Sequence, residues 1–223
     1  AMGAEPLAYF NDQFVPVSQA KVGVMTHALH YGTAVFEGIR GNWNAEEGKT
    51  FIFRPREHYE RFLDGCKMLR INLPYTAEEL VRLTVELVER GGLKEDLYIR
   101  PLGFKGGQKI ANLKLHDVED SFVLVAIPFG QYLDAPALRC VTASWRRIDE
   151  TMIPPRVKIG GLYVNSILAK TDAILAGYEE AILLNQDGHV AEGSGENLFL
   201  AKGGRLITSP LYSNVLNGIT RDC

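Results

Sequence analysis

Lys158 is the side chain of this 223-residue chain best suited to covalent chemistry. It lies in the segment Arg156-Val157-Lys158-Ile159-Gly160-Gly161-Leu162-Tyr163, between apolar residues and beside paired glycines that let the backbone approach a bulky group. An ammonium group that loses water favours its neutral amine, the form that attacks a carbonyl carbon. On this window alone, a surface lysine in a loop is the commoner explanation.

A carboxylate, Glu192, follows 34 residues later in Glu192-Gly193-Ser194-Gly195-Glu196-Asn197, again beside glycines. Buried next to a nitrogen heterocycle, such a carboxylate would keep the ring nitrogen protonated, and the protonated ring would withdraw electrons from a neighbouring carbon. The alternative is a turn that contains acidic residues without such a role. The residues themselves leave both explanations open.

Two further segments could bind an anion such as phosphate. Gly218-Ile219-Thr220 precedes a predicted helix start, where unpaired N–H groups and the helix dipole favour negative charge. Arg56 follows Pro55 at another predicted helix start and could clamp the same anion. An arginine in a first helical turn is ordinarily a solvated surface residue, so neither segment is specific alone.

Periodicity predicts that two α/β lobes carry these residues. In the first lobe, Asn11-Asp12-Gln13 predicts a turn between β segments 8–10 and 14–15, and further strands are predicted over 35–40, 50–53, 97–104 and 122–128. A helix is predicted from Pro55, because apolar residues recur on one face: Tyr59, Phe62, Leu63, Cys66 and Leu69. A second helix is predicted from the capping box of Thr76 and Glu79 to Gly91-Gly92.

The second lobe is predicted to follow a polar linker over 131–137, which separates an N-terminal domain, 1–130, from a C-terminal domain, 138–223. A strand over 138–145 is followed by helical spacing from Val164 to Leu175, with Gly177 as the stop. Strands over 181–184, 190–193, 197–200 and 206–207 then predict a meander.

Composition describes an ordinary globular chain, with 46% hydrophobic and 23% charged residues. A net charge of −3 without long basic runs makes nucleic acid an unexpected partner, and no apolar run approaches the ~20 residues that span a membrane. Three widely spaced cysteines fit neither a disulfide framework nor a metal site, which favours a reducing, cytoplasmic location.

Six blocks, in order along the chain, resemble the branched-chain amino acid aminotransferases, which are class IV aminotransferases and pyridoxal-phosphate enzymes of fold type IV. The blocks are His30 to Arg40, Arg54 to His58, Tyr98 to Pro101, Lys158 to Leu168, Glu192 to Phe199 and Gly218 to Asp222. The resemblance implies an α+β (α/β) fold of two lobes, with 1–130 as the small domain and 138–223 as the cofactor-binding domain. It also implies a homodimer or a higher homo-oligomer.

The resemblance assigns roles around pyridoxal 5′-phosphate. Lys158 would be the catalytic lysine that forms a Schiff base with the cofactor, Glu192 the partner of the pyridine nitrogen and Tyr163 a donor to the phenolic oxygen. The phosphate would be bound by Arg56, Ile219 and Thr220. The residues expected around the substrate are Tyr31, Phe36, Tyr98, Arg100 and Tyr132, where aromatic walls suit a branched side chain and a guanidinium suits a distal carboxylate.

The implied reaction is a ping-pong transfer of the α-amino group between leucine, isoleucine or valine and 2-oxoglutarate, which yields 2-oxo acids and glutamate. Lys158 would act as both base and acid in it. A D-amino acid aminotransferase or an aminodeoxychorismate lyase of the same fold type remains an alternative, as does a catalytically silent fragment. Relatives are expected to continue beyond Arg221-Asp222-Cys223, so the C-terminal domain is predicted to be incomplete here.

Overall fold

The structure is a computed structural model that describes residues 5–130 and 136–223. The chain divides into two compact units, Ala1–Tyr132 and Leu133–Cys223. Most of the predicted linker over 131–137 lies outside the described residues. Among the helices of the two described ranges, none has both the length and the hydropathy needed to cross a lipid bilayer.

A seven-stranded sheet forms the frame of the first unit. Its strands are β1 (Leu7–Phe10), β2 (Gln13–Pro16), β3 (Ala34–Phe36), β4 (Ile39–Asn44), β5 (Lys49–Ile52), β6 (Leu97–Lys105) and β7 (Asp120–Pro128). They lie in the order β2-β1-β7-β6-β4-β5, and β3 also pairs with β6. All of these pairs are antiparallel. The long strands β6 and β7 therefore lie at the centre of this sheet.

The predicted first hairpin is confirmed. Phe10 pairs with Gln13 across a two-residue turn, and the two turn residues, Asn11 and Asp12, have φ angles of 50° and 58°. Two consecutive positive φ values define the turn type whose twist matches that of antiparallel strands, and asparagine and aspartate adopt such values at low cost.

The described part of this unit contains three α-helices: α1 (His27–Tyr31), α2 (Pro55–Met68) and α3 (Ala77–Gly91). The predicted apolar face of α2 is confirmed at Tyr59, Phe62 and Cys66, which are buried, whereas Leu63 and Leu69 are half-buried. The predicted capping box is present at the start of α3, where Thr76 and Glu79 each accept from the other's backbone N–H. Short α1 was not predicted.

The strand predicted over 35–40 is two strands, β3 and β4, separated by Glu37 and Gly38. The Glu37 carboxylate is 1% exposed and turns towards α2, where Arg61 Nε and Nη2 donate to its two oxygens, each at 2.7 Å. His58 Nδ1 lies 2.8 Å from the same carboxylate. A buried carboxylate needs such partners. Because Glu37 turns towards them, the strand is interrupted at this residue.

The second unit contains β8 (Cys140–Arg146), α4 (Tyr163–Leu175), β9 (Glu180–Leu184), β10 (Val190–Glu192), β11 (Phe199–Lys202) and β12 (Arg205–Thr208). The first two strands are parallel and are joined through α4, β10 pairs antiparallel with β9, and β11 and β12 form a hairpin. Alanines at 169 and 173 bring α4 close to Ala181 and Leu183 of β9.

Two expectations for this unit are corrected. The strand predicted over 197–200 begins at Phe199, because the Asn197 side chain is bonded to Glu192 and to the backbone at Leu216 instead. The strands predicted as one meander lie in two separate sheets, because β10 pairs with β9 whereas β11 pairs with β12. Where a helix start was predicted after Gly218-Ile219-Thr220, the Asp222 N–H donates to the Gly218 carbonyl at 3.1 Å, which is the hydrogen-bond spacing of one α-helical turn.

Candidate active site

Lys158 and Tyr163 form a contact near the start of α4. Lys158 is half-buried between buried Val157 and Ile159, and its Nζ donates to Tyr163 Oη at 2.7 Å. A 3-10 turn over Gly160–Leu162 leads directly into the helix at Tyr163. The turn brings the phenol back over the lysine, which places an amine and a hydroxyl side by side.

Glu192 ends β10 as a carboxylate that is only 5% exposed. Its Oε1 lies 2.8 Å from Arg147 Nη2, and its Oε2 accepts from Asn197 Nδ2 at 3.1 Å and from the Leu216 N–H at 3.0 Å. Burial raises the pKa of Glu192, and the charges of Arg147 and Lys158 and the Leu216 N–H lower it by less. The carboxylate is therefore held firmly but lacks full compensation for its charge.

Arg147 is the principal residue of this site that the sequence did not reveal. It is 4% exposed, and besides Glu192 its guanidinium donates to Ser166 Oγ at 3.2 Å and to the Asn214 carbonyl at 3.3 Å. Acceptors from three different segments thus engage each of the three guanidinium nitrogens. Nothing in the local sequence distinguishes it from exposed Arg146 beside it.

Asn197 is a second residue of the site to which the sequence assigned no role. Its Nδ2 donates both to Glu192 and to the Leu216 carbonyl, the latter at 2.9 Å. Gly218 makes room for it, because a Cβ on Gly218 would lie 2.1 Å from Asn197 Oδ1. The glycine is thus required by the close approach of a side chain that orients the buried carboxylate.

These residues line one cavity of the second unit. Its walls include Arg147, Lys158, Tyr163, Ser166, Glu192 and Asn197. Of the sequence-predicted cofactor residues, the structure thus brings together the lysine, the tyrosine and the glutamate. Half-buried Ile219 and exposed Thr220 lie in the turn that follows Gly218.

Arg56 belongs to the first unit, where its side chain is 64% exposed on α2. Its Nε donates to Glu60 at 3.0 Å and its Nη1 lies 3.3 Å from Glu78. Both partners are surface acids, so the contacts of Arg56 within this unit are those of a solvated helix face. Its predicted phosphate role stays a prediction.

A second group of predicted residues lies on one face of β3 and β6 in the first unit. Phe36 pairs with Leu102, so Phe36, Tyr98 and Arg100 point to the same side of the sheet. The Arg100 guanidinium lies 4.3 Å from the centre of the Phe36 ring and donates to Tyr98 Oη at 2.6 Å. Its buried Nε has no hydrogen-bond partner among the described residues.

Two predicted substrate residues remain, Tyr31 and Tyr132. Tyr31 is 40% exposed, and its hydroxyl accepts from the Ala111 N–H at 2.9 Å. Tyr132 lies outside the described residues.

Comparison with known proteins identifies the family. The family model described as "Amino-transferase class IV" matches residues 34–223. The chain belongs to the class IV aminotransferases. A "Probable branched-chain-amino-acid aminotransferase" of Aquifex aeolicus is 47% identical over 216 residues, which are 96% of this chain and 69% of that protein.

Solved structures of class IV aminotransferases also match. A branched-chain aminotransferase of Thermoproteus uzoniensis with norvaline gives a TM-score of 0.92 at 44% identity, over 97% of this chain and 72% of the other. One from Thermobaculum terrenum in its PLP-form gives 0.91 at 35% identity, over 98% and 71%. The α+β fold of type IV predicted from the sequence is confirmed.

The cavity fits the cofactor of this family, pyridoxal phosphate. An amine for an aldehyde, a phenol for a ring oxygen and a buried carboxylate for a ring nitrogen are all among its walls. The raised pKa of Glu192 shows that the carboxylate would gain from a further cationic partner. The chemistry of these three side chains is therefore compatible with pyridoxal phosphate.

Proposed function

We propose that the protein moves the α-amino group between branched-chain L-amino acids and 2-oxoglutarate, as a pyridoxal-phosphate-dependent transaminase. The observation that carries this proposal is the convergence of Lys158, Tyr163 and Glu192 on one cavity of a class IV aminotransferase chain. Relatives named branched-chain aminotransferases, at up to 47% identity among those described above, support the substrate class.

Lys158, Tyr163 and Glu192 would hold the cofactor, and Ile219, Thr220 and Arg56 would bind its phosphate. When bound, pyridoxal phosphate supplies an aldehyde carbon that receives the amino group and a ring that draws electrons from the substrate Cα. Lys158 Nζ then takes the α-proton and later returns it, so that one amine acts as base and acid. Tyr163 Oη, at 2.7 Å, orients that amine.

Glu192 has to remain a carboxylate next to the ring nitrogen for this chemistry. Arg147 and two N–H donors favour the charged form, whereas burial opposes it. A protonated ring nitrogen would add a positive charge and lower the pKa of Glu192 again. The carboxylate oxygens are thus already oriented by Arg147, Asn197 and the Leu216 N–H, and burial is the influence that opposes their charge.

In the first unit, Phe36 and Tyr98 would pack against a branched side chain, and Tyr31 and Tyr132 would complete the apolar wall. Arg100 would bind the distal carboxylate of glutamate or 2-oxoglutarate, because its buried Nε offers a donor that lacks a partner among the described residues. The homo-oligomeric state and the cytoplasmic location stay predictions.

The proposal is tested with borohydride, which fixes pyridoxal phosphate to the lysine that holds it, followed by peptide mapping. We expect the label on the peptide that contains Lys158, no label in Lys158→Ala, and normal labelling in a Lys202→Ala control on exposed β11. L-Leucine, D-alanine and aminodeoxychorismate are then compared as substrates. A label on another lysine, or preference for D-alanine or aminodeoxychorismate, would overturn the proposal.

A further inference from the structure

Two carboxylates hold the loop of residues 193–196, which joins Glu192 to Asn197. Glu180 Oε1 accepts from the Ser194 N–H at 3.4 Å, and Glu196 Oε2 accepts from the Gly195 N–H at 3.1 Å. Because this loop leads to Asn197, its conformation affects one of the contacts that orient the Glu192 carboxylate in the cavity.

The two carboxylates differ in their hydrogen-bond partners. Glu180, 4% exposed, is bonded by Lys170 Nζ at 2.5 Å and by the Ala181 N–H at 2.7 Å. Glu196 lines the cavity, and its Oε1 is buried without a hydrogen-bond partner in the described ranges. A second negative charge, on Glu196, is unfavourable beside Glu180. Protonation of Glu196 would remove that charge and would give the oxygen without a partner a hydrogen to donate.

The electrostatic surroundings distinguish the two acids. Burial raises the pKa of Glu196, and the negative charge of Glu180 raises it further, whereas the Gly195 N–H and Lys170 lower it by less. Burial also acts on Glu180, but the bonds from Lys170, Ala181 and Ser194 together lower its pKa. The pKa of Glu196 is therefore shifted upwards and that of Glu180 downwards, so Glu196 is the more readily protonated of the two.

We propose that Glu196 is a positioning residue whose buried Oε1, which has no hydrogen-bond partner among the described residues, carries a proton and donates it in a hydrogen bond to Glu180. This hydrogen bond joins the 193–196 loop to β9 and so fixes the contact of Asn197 with Glu192. The importance of that contact for the cofactor rests on the proposed function, whereas the protonation state of Glu196 does not.

The direction of the pH dependence follows from this arrangement. The charged groups that act on the pair or on its neighbour Glu192 are Lys170 on α4, Glu180 on β9, Glu192 on β10, Arg147 and Lys158. A glutamate whose pKa is raised by folding contributes stability at pH values below its ordinary value of 4.5. This contribution is lost as the pH rises from there through the raised value.

Glu196→Gln tests this inference, because the amide donates a hydrogen bond and stays neutral at every pH. Thermal unfolding of the cofactor-free protein is compared for wild type, Glu196→Gln and a control at an exposed glutamate, Glu46→Gln. We expect wild type and Glu196→Gln to agree below pH 4.5, and the variant to melt about 3–5 °C higher at about pH 8. The control should follow wild type throughout, and a Glu196→Gln profile parallel to wild type would overturn the proposal.

A second measurement does not depend on the variant's folding. In wild type labelled with ¹³C at glutamate side chains, Glu192 and Glu196 should give two carboxyl resonances that titrate above 4.5. A Glu196 carboxyl resonance that titrates at or below 4.5 would refute the inference. Neither measurement involves cofactor or amino acid, so a negative result is separable from a failure of the transaminase proposal.

Discussion

Replacing Arg147 by methionine should destabilise the second unit severely, because it leaves Glu192 buried without its cation. The pair is 2.8 Å apart, with both side chains at most 7% exposed. Removing one member of a buried ion pair costs about 3–5 kcal/mol, a large fraction of the ~5–15 kcal/mol that stabilises a typical domain. Urea denaturation followed by far-UV circular dichroism and tryptophan fluorescence measures the loss.

The charge state of Glu192 makes the prediction specific. Without Arg147, the pKa of Glu192 should rise further, so the loss should be smallest below its ordinary value of 4.5 and grow as the pH increases. The double variant Arg147→Met/Glu192→Gln should recover ~2 kcal/mol relative to the sum of the single changes.

An exposed pair in the same unit supplies the control. Arg139 and Glu179 form an ion pair whose side chains are 73% and 39% exposed, so Arg139→Met should have little effect, because water screens such pairs. Equal losses from Arg147→Met and Arg139→Met, or a loss that persists undiminished in the double variant, would refute the reasoning about the buried pair.

Three further changes have defined outcomes. Gly218→Ala places a Cβ 2.1 Å from Asn197 Oδ1, and we expect weaker pyridoxal phosphate binding in a fluorescence titration and a loss of about 1–3 kcal/mol in urea denaturation. Thr84→Val removes the hydroxyl that pairs with the buried Tyr59 hydroxyl, which should cost about 1–3 kcal/mol without changing borohydride labelling. Burial raises the pKa of Cys66 to about 12, so a thiol reagent at about pH 8 should modify only the other two, exposed cysteines before unfolding.

Elements whose determinants are close together in the sequence were predictable. The α3 start depends on Thr76 and Glu79, and the first hairpin depends on Asn11 and Asp12. In each case the residues that determine the local backbone conformation are neighbours in the sequence, so their types suffice for the prediction. The apolar spacing on α2 likewise required only the helical period.

Features that depend on distant partners were missed or misplaced. The interruption at Glu37 comes from a helix residue, Arg61, 24 positions away. Arg147 and its exposed neighbour Arg146 are the same residue type at adjacent positions, and only burial in the folded unit distinguishes them.

The same distinction explains which parts of the candidate site the sequence revealed. Lys158 and Glu192 were candidates because they lie beside glycines and apolar residues, which is a local property, and the resemblance to a family then assigned their roles. Their support is non-local, since the donors to Glu192 come from the end of β8, from Asn197 and from the backbone at Leu216. A buried carboxylate is tolerated only where these donors have already converged. The charge on Glu192 and the folding of this unit therefore depend on each other, because the donors that favour the carboxylate converge only when the three segments pack together.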